Sequence, residues 1–178
     1  MELIDVLDEN RNNTGKILSR EEVHKRGLWH KTVHIWVINK KGDILLQKRS
    51  PMKKTSPNMW TTSVSGHLSA GDSSIEGAIR ELKEEIGIEA KPEELKYLFT
   101  VSEEVIKENN IKDREHIDVY VLHADINIDK LILQEEEVSK VKWFSFTEFE
   151  KMVNNHDKNL VKHDEIHEKI IKILKDEV

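Results

Sequence analysis

The chain has 178 residues, 28 Lys and Arg against 34 Asp and Glu, a formal net charge of −6 and no cysteine. That length suits one ordinary globular domain, expected to span residues 1–178, and the acidic balance argues against a sequence-blind nucleic-acid binder. The missing cysteines exclude disulfides, thiolate zinc sites and a cysteine nucleophile.

The first segment, Leu3 to Leu7, is followed by a polar turn at Asn10–Gly15 and by Lys16 to Leu18, which predicts two strands joined by a turn. Ser19 and Glu22 have capping-box spacing, so a short helix is expected over Arg20–Lys25, stopping near Gly27. Residues 1–30 thus form an N-terminal strand and helix extension. Its first residues lack a basic stretch before an apolar one, so no secretory signal is expected. Thr32–Ile38 and Ile44–Gln47 predict strands around a turn at Asn39–Asp43. The longest apolar run, Ile35–Ile38, is far too short to cross a membrane. A soluble, cytoplasmic protein without a membrane partner is expected. Trp60–Val64 predicts a further strand, and 73–86 a strong helix. Leu95–Val105, Ile117–Asp125 and Val138–Trp143 read as strands. Thr147 with Glu150 predicts a helix start, and Leu160–Leu174 a last amphipathic helix, placing C-terminal helices over 147–178. Strands around one central helix, with helices at the end, predict a mixed sheet covered on both faces.

The central helix carries the chemistry. Ile75, Ala78, Ile79, Leu82 and Ile86 form one apolar stripe at helical spacing. Glu81, Glu84 and Glu85, at i, i+3 and i+4, share a face beside it. Like charges so placed cost roughly 0.2–0.5 kcal/mol per pair on an isolated helix. A divalent cation would offset that, and Mg²⁺ favours carboxylates, waters and substrate phosphate. A solvated acidic face relieved by Arg80 and Lys83 is the alternative. Gly77, inside the helix, suggests a close approach by another segment.

The flanking residues read Gly66-x5-Asp72-x7-Arg80-Glu81-Leu82-x-Glu84-Glu85-x-Gly87-Ile88. Over 66–88 this resembles the Nudix box, with Asp72 where the family usually has Glu. The resemblance implies a Nudix-type α/β/α sandwich with a mixed β-sheet and a catalytic loop-helix. It implies hydrolysis of a diphosphate bond with Mg²⁺ or Mn²⁺, with Glu81, Glu84, Glu85 and the Gly66 carbonyl as metal ligands and Arg80 orienting the glutamates. The shorter Asp72 side chain puts its long-range pairing in question. The general base is open between Glu84, Glu85 and the later run Glu135–Glu137, taken at its middle residue Glu136.

A second resemblance covers roughly residues 20–90. His24, His30, Arg49, Lys53, Trp60-Thr61 and Gly66-His67 are arranged as in isopentenyl-diphosphate isomerase, which shares the Nudix fold. It implies a metal cluster of His24, His30 and His67, with Arg49 and Lys53 as phosphate contacts. Two features separate this chain from that enzyme. Ser65 stands where the isomerase needs its cysteine, and the full Arg-Glu-x-x-Glu-Glu set is present. The isomerase's downstream glutamate pair does not match cleanly at Arg114–Asp118. Trp29, beside His30 at a strand entry, is expected to touch substrate, whereas His34 carries no family support. The expected function is metal-dependent hydrolysis of a nucleoside di- or triphosphate or related small organic diphosphate. An isopentenyl-diphosphate hydrolase or isomerase-like enzyme is the alternative. A homodimer through the first strands is left open.

Overall fold

β-Branched and apolar residues build a long central strand, β3 (Trp29–Ile38), in a computed structural model that describes residues 1–106 and 112–177. Before it come β1 (Leu3–Leu7), β2 (Asn13–Ser19) and α1 (Arg20–Arg26). After it come β4 (Ile44–Arg49), β5 (Trp60–Thr61), β6 (Val64–His67) and α2 (Ser74–Ile86). The chain continues through β7 (Leu95–Ile106), β8 (Lys112–His123), β9 (Val138–Phe144), α3 (Phe146–Asn154) and α4 (Asp164–Asp176). β3 runs parallel to β8 along its whole length, and antiparallel to β6 and β4. β7 pairs antiparallel with β8, and β9 with β4, so the sheet is mixed.

Strand residues alternate between faces. Val33, Ile35 and Val37 of β3 pack with Leu82 and Ile86 of α2. Trp36 and Ile38 face the other way and pack with Phe149 of α3 and Ile166 and Ile170 of α4. The result is the expected α/β/α sandwich. Phe149 is fully buried, with its ring 5.4 Å from that of Trp36 and 5.6 Å from that of His167. Phe149→Ala is expected to cost about 3–5 kcal/mol in urea unfolding. A loss below about 1 kcal/mol would show that this face collapses around the cavity.

Three local expectations are corrected. Trp60–Val64 is not one strand, because Thr62 and Ser63 interrupt it. Thr62 Oγ1 donates to the Ile35 carbonyl, and Ser63 Oγ accepts from the Val37 N–H. These side chains take over ladder positions, so the chain bends and resumes as β6. The helix α3 is capped by Ser145, not Thr147. Ser145 accepts from the Glu148 N–H, and its own N–H donates to the Glu148 carboxylate at 2.7 Å. The last helix starts at Asp164 rather than Leu160. The preceding segment is held extended against β5, with the Val161 N–H donating to the Trp60 carbonyl at 2.8 Å.

Candidate active site and metal centre

Ser73 accepts from the Glu76 N–H in a full capping box, and Gly87 ends α2 in the left-handed region at φ 72°. Both devices anchor the acidic helix where its side chains meet β6. The approach is close: a Cβ on Gly66 would lie 2.2 Å from Glu81 Cδ, and one on Gly77 3.0 Å from Leu68 Cγ. Gly66 therefore makes room for the Glu81 carboxyl, and Gly77 for Leu68.

Arg80 ties this region together. Its Nη1 donates to Glu81 at 2.8 Å and to Glu84 at 3.2 Å, and its Nη2 donates to the His67 carbonyl at 2.9 Å. Asp72 reaches Arg80 at 3.6 Å, so the shorter side chain keeps this ion pair. Carboxylates outweigh burial and raise the Arg80 pKa. The glutamates are not equivalent. Glu81 and Glu85 are buried, at 8% and 5% exposure, whereas Glu84 is open to solvent. Burial pushes Glu81 up to about 7 against the opposing pull of Arg80. Burial likewise pushes Glu85 up to about 8, although Gln47 Nε2 donates to it at 2.8 Å.

These groups open into a cavity of about 1180 Å³ that also takes in Arg49, Lys53 and His67. Arg49 is held by the Thr55 carbonyl, which accepts from its Nε and Nη2 at 3.1 and 3.0 Å. Lys53 pairs with Glu137.

At one end of the cavity three imidazoles converge. His24 Nε2 lies 3.3 Å from His30 Nε2 and 3.2 Å from His67 Nε2. The Leu28 carbonyl accepts from His30 Nδ1 at 3.0 Å, which leaves the Nε2 lone pair facing its neighbours. Glu115 Oε1 stands 3.8 Å from His30 Nε2, and Asp113 Oδ1 3.7 Å from His24 Nε2. One ligand atom from each of His24, His30, His67 and Glu115 falls within 4.8 Å of all the others. Burial, then Arg20, holds His67 well below the usual imidazole range, so it is a neutral donor. Burial, then Asp113, raises Glu115. Nitrogens bound to one ion at about 2.1 Å would sit roughly 3.4 Å apart in a tetrahedral site. The observed spacing fits a divalent metal, which would relieve the crowded lone pairs.

The structure brings most of the expected residues together but not all. Glu136 is exposed and does not line the cavity, whereas Glu137 does. The turn closed by the Glu137 and Val138 N–H groups on the Gln134 carbonyl turns the third glutamate inward. Trp29 is not at the cavity either. Its ring stacks on His116 at 4.5 Å, and Arg114 lies 5.8 Å over its face. Glu115 was not legible as a ligand, since only the β3–β8 register pairs it with His30. Gln47, and the cavity residues His34, Glu103 and His163, carried no sequence signal.

The NUDIX domain family matches residues 28–164 of the chain. The chain belongs to the Nudix family. It is 40% identical over 157 residues to an uncharacterised Nudix hydrolase of Clostridium acetobutylicum, covering 86% of this chain and 75% of that protein. It is 30% identical over 154 residues to an isopentenyl-diphosphate delta-isomerase of Photorhabdus laumondii, covering 86% and 83%. A crystal structure from Deinococcus radiodurans shares the fold across 98% of each chain, with a TM-score of 0.71 and 19% identity. The isomerase resemblance therefore extends beyond residues 20–90, but Ser65 still occupies the cysteine position. The Nudix fold, together with a His/Glu cluster able to hold a divalent metal, supports a metal-dependent hydrolase of phosphoanhydride bonds. No helix among the described residues is long and apolar enough to cross a membrane.

Proposed function

We propose that this Nudix protein hydrolyses a small organic diphosphate, with Mg²⁺ or Mn²⁺ held by Glu81, Glu84, Glu85 and the Gly66 carbonyl. The observation that carries this reading is the pair of buried carboxyls, Glu81 and Glu85, opening into a cavity that also holds Arg49 and Lys53. Buried carboxylates without a cation are costly, and a site for a cation and a polyanion resolves that cost. A divalent ion bound there would polarise phosphoryl oxygens and lower the pKa of a water. Arg49 and Lys53 would neutralise diphosphate oxygens and hold the phosphorus in line. Arg80 would keep Glu81 and Glu84 aimed at the ion. Glu84 and Glu137, both more open than Glu81 and Glu85, remain to take the proton as water attacks phosphorus and the bridging P–O bond breaks. His24, His30, His67 and Glu115 would hold a further divalent ion, for which imidazole with carboxylate suits Mn²⁺, Zn²⁺ or Fe²⁺.

The His/Glu cluster favours a second reading, an isopentenyl-diphosphate hydrolase or isomerase-like enzyme. Ser65 opposes isomerisation, because an alcohol is a poor proton carrier beside a thiol. One assay separates the readings. Nucleotides, nucleotide sugars and isopentenyl diphosphate are incubated with Mg²⁺ in ¹⁸O-labelled water. Metal-dependent release of ¹⁸O-labelled phosphate or monophosphate is expected. Formation of dimethylallyl diphosphate without label would overturn the hydrolase reading.

A further inference from the structure

The cavity extends past the metal-type cluster to a second polar group that the proposed hydrolysis does not use. β7, β8, β3 and β6 are consecutive neighbours in the sheet, and Glu103 of β7 pairs with Glu115 of β8. Glu103 therefore lies three strand spacings, roughly 14 Å across the sheet, from β6. His163, at the start of α4, donates from Nδ1 to Glu103 at 2.8 Å, and both line the cavity. This bond sets the imidazole's orientation and leaves its Nε2 outside the pair. His34 lines the same end with 4% exposure, and its ring centroid is 4.8 Å from that of His163. Its Nδ1 is buried with no hydrogen-bond partner. Burial, then His163 and His167, keeps His34 neutral, so the ring can still accept as well as donate.

A buried nitrogen without a partner is costly, as is a hydrocarbon packed against a carboxylate–imidazole pair. A hydroxylated group satisfies both, because each hydroxyl donates and accepts. The perpendicular His34 and His163 rings, at 83°, leave no parallel-walled slot for a flat base. We infer that Glu103, His163 and His34 form the subsite for the organic half of the substrate and select a polyhydroxy, sugar-type group over an isoprenoid chain. This rests on the diphosphate reading of the same cavity. The three are specificity-determining residues, since none is placed at the reacting phosphorus.

Ribose 5-diphosphate and isopentenyl diphosphate test this directly, because both carry five carbons on one diphosphate. Their affinities are measured by calorimetry with Ca²⁺ in place of Mg²⁺, for the full chain and for Glu103→Gln, His163→Phe and His34→Phe. Wild-type protein is expected to prefer ribose 5-diphosphate. Each variant is expected to weaken that ligand about tenfold, the worth of a lost hydrogen bond to a charged or buried partner, while isopentenyl diphosphate stays within about twofold. His163→Gln, which can still donate, is expected to recover part of the loss. A purely structural role would move both ligands equally, and that result overturns the inference. Equal or better binding of isopentenyl diphosphate by wild type, or no binding of ribose 5-diphosphate, overturns it as well. Hydrolysis is followed separately with Mg²⁺. Absence of turnover there defeats the hydrolase reading and leaves the affinity ratio measurable.

Discussion

Glu85→Gln is expected to lower kcat on the preferred diphosphate by roughly a hundred- to ten-thousand-fold, with a smaller effect on KM. The substitution keeps the shape of the side chain and a hydrogen bond to Gln47, but removes the charge that would face the ion. Glu81→Gln is expected to behave similarly, with the Arg80 bond at 2.8 Å weakened because it loses its charge assistance. Neither variant should unfold the protein. A neutral amide at Glu85 removes the burden of a buried carboxylate, so the metal-free variant should melt at or above the wild-type temperature at alkaline pH. Glu136→Gln is the control, expected to stay within about twofold, because exposed substitutions outside a site shift energies by only about 0.5 kcal/mol. Steady-state kinetics with Mg²⁺, paired with thermal melts, checks all three. Glu85→Gln retaining full turnover would remove that residue from the metal site.

The same two carboxyls set a pH dependence with a definite sign. Their folded values, about 7 for Glu81 and about 8 for Glu85, lie above the ordinary 4.5. The folded, metal-free protein therefore binds more protons than the unfolded chain between those limits. The stability these groups contribute is complete below 4.5 and is lost as pH rises through about 7 and about 8. A divalent ion held by these carboxyls would take their ionised forms and reverse the penalty. Mg²⁺ is expected to raise the melting temperature more at about pH 8.5 than at about pH 6, and binding at neutral pH should release on the order of one proton per ion. Apparent Mg²⁺ affinity should climb about tenfold per pH unit, below the folded pKa values, for each proton displaced. Calorimetry in buffers of different ionisation enthalpy counts the protons. Binding without proton release would show that Glu81 and Glu85 are not the ligands.

His67 differs from these carboxyls in its response to pH. His67 is already neutral by burial, so its readiness as a donor does not wait for alkaline conditions. His67 and the two glutamates therefore differ in when they can accept an ion. The His67 nitrogen is available while the buried carboxyls of α2 still carry protons near pH 7.

Much of this protein is written locally. The α2 helix follows from the Ser73 box, the apolar stripe through Leu82 and Ile86, and the Gly87 stop, all within a few turns of one another. Helix caps and period-3.6 stripes depend on near neighbours, so they survive reading one residue at a time. The box motif from Gly66 to Ile88 is local too, and its resemblance to the Nudix box pointed to Gly66, Arg80 and the glutamates, while the order of strands and helices pointed to the fold class. Where local cues competed, the nearer hydrogen bond decided. Ser145 outdid Thr147 as a cap, and Thr62 and Ser63 broke a stretch whose composition suits a strand.

What only the tertiary structure decided are the partnerships across strands. A period of two says which residues share a face, not which strand lies alongside. The parallel β3–β8 register brings Glu115 to His30, and the same register region carries Trp29 onto His116 and away from the cavity. One turn at Gln134 selects Glu137 over Glu136. Glu103 and His163 meet because β7 and the start of α4 close on one cavity wall. The sequence by itself determined a Nudix helix, its carboxylates and the absence of an isomerase cysteine. The long-range packing decided that two of those carboxylates are buried, that Glu115 joins the histidines in a cluster able to hold a metal, and that Glu103, His163 and His34 meet at the far end of the cavity.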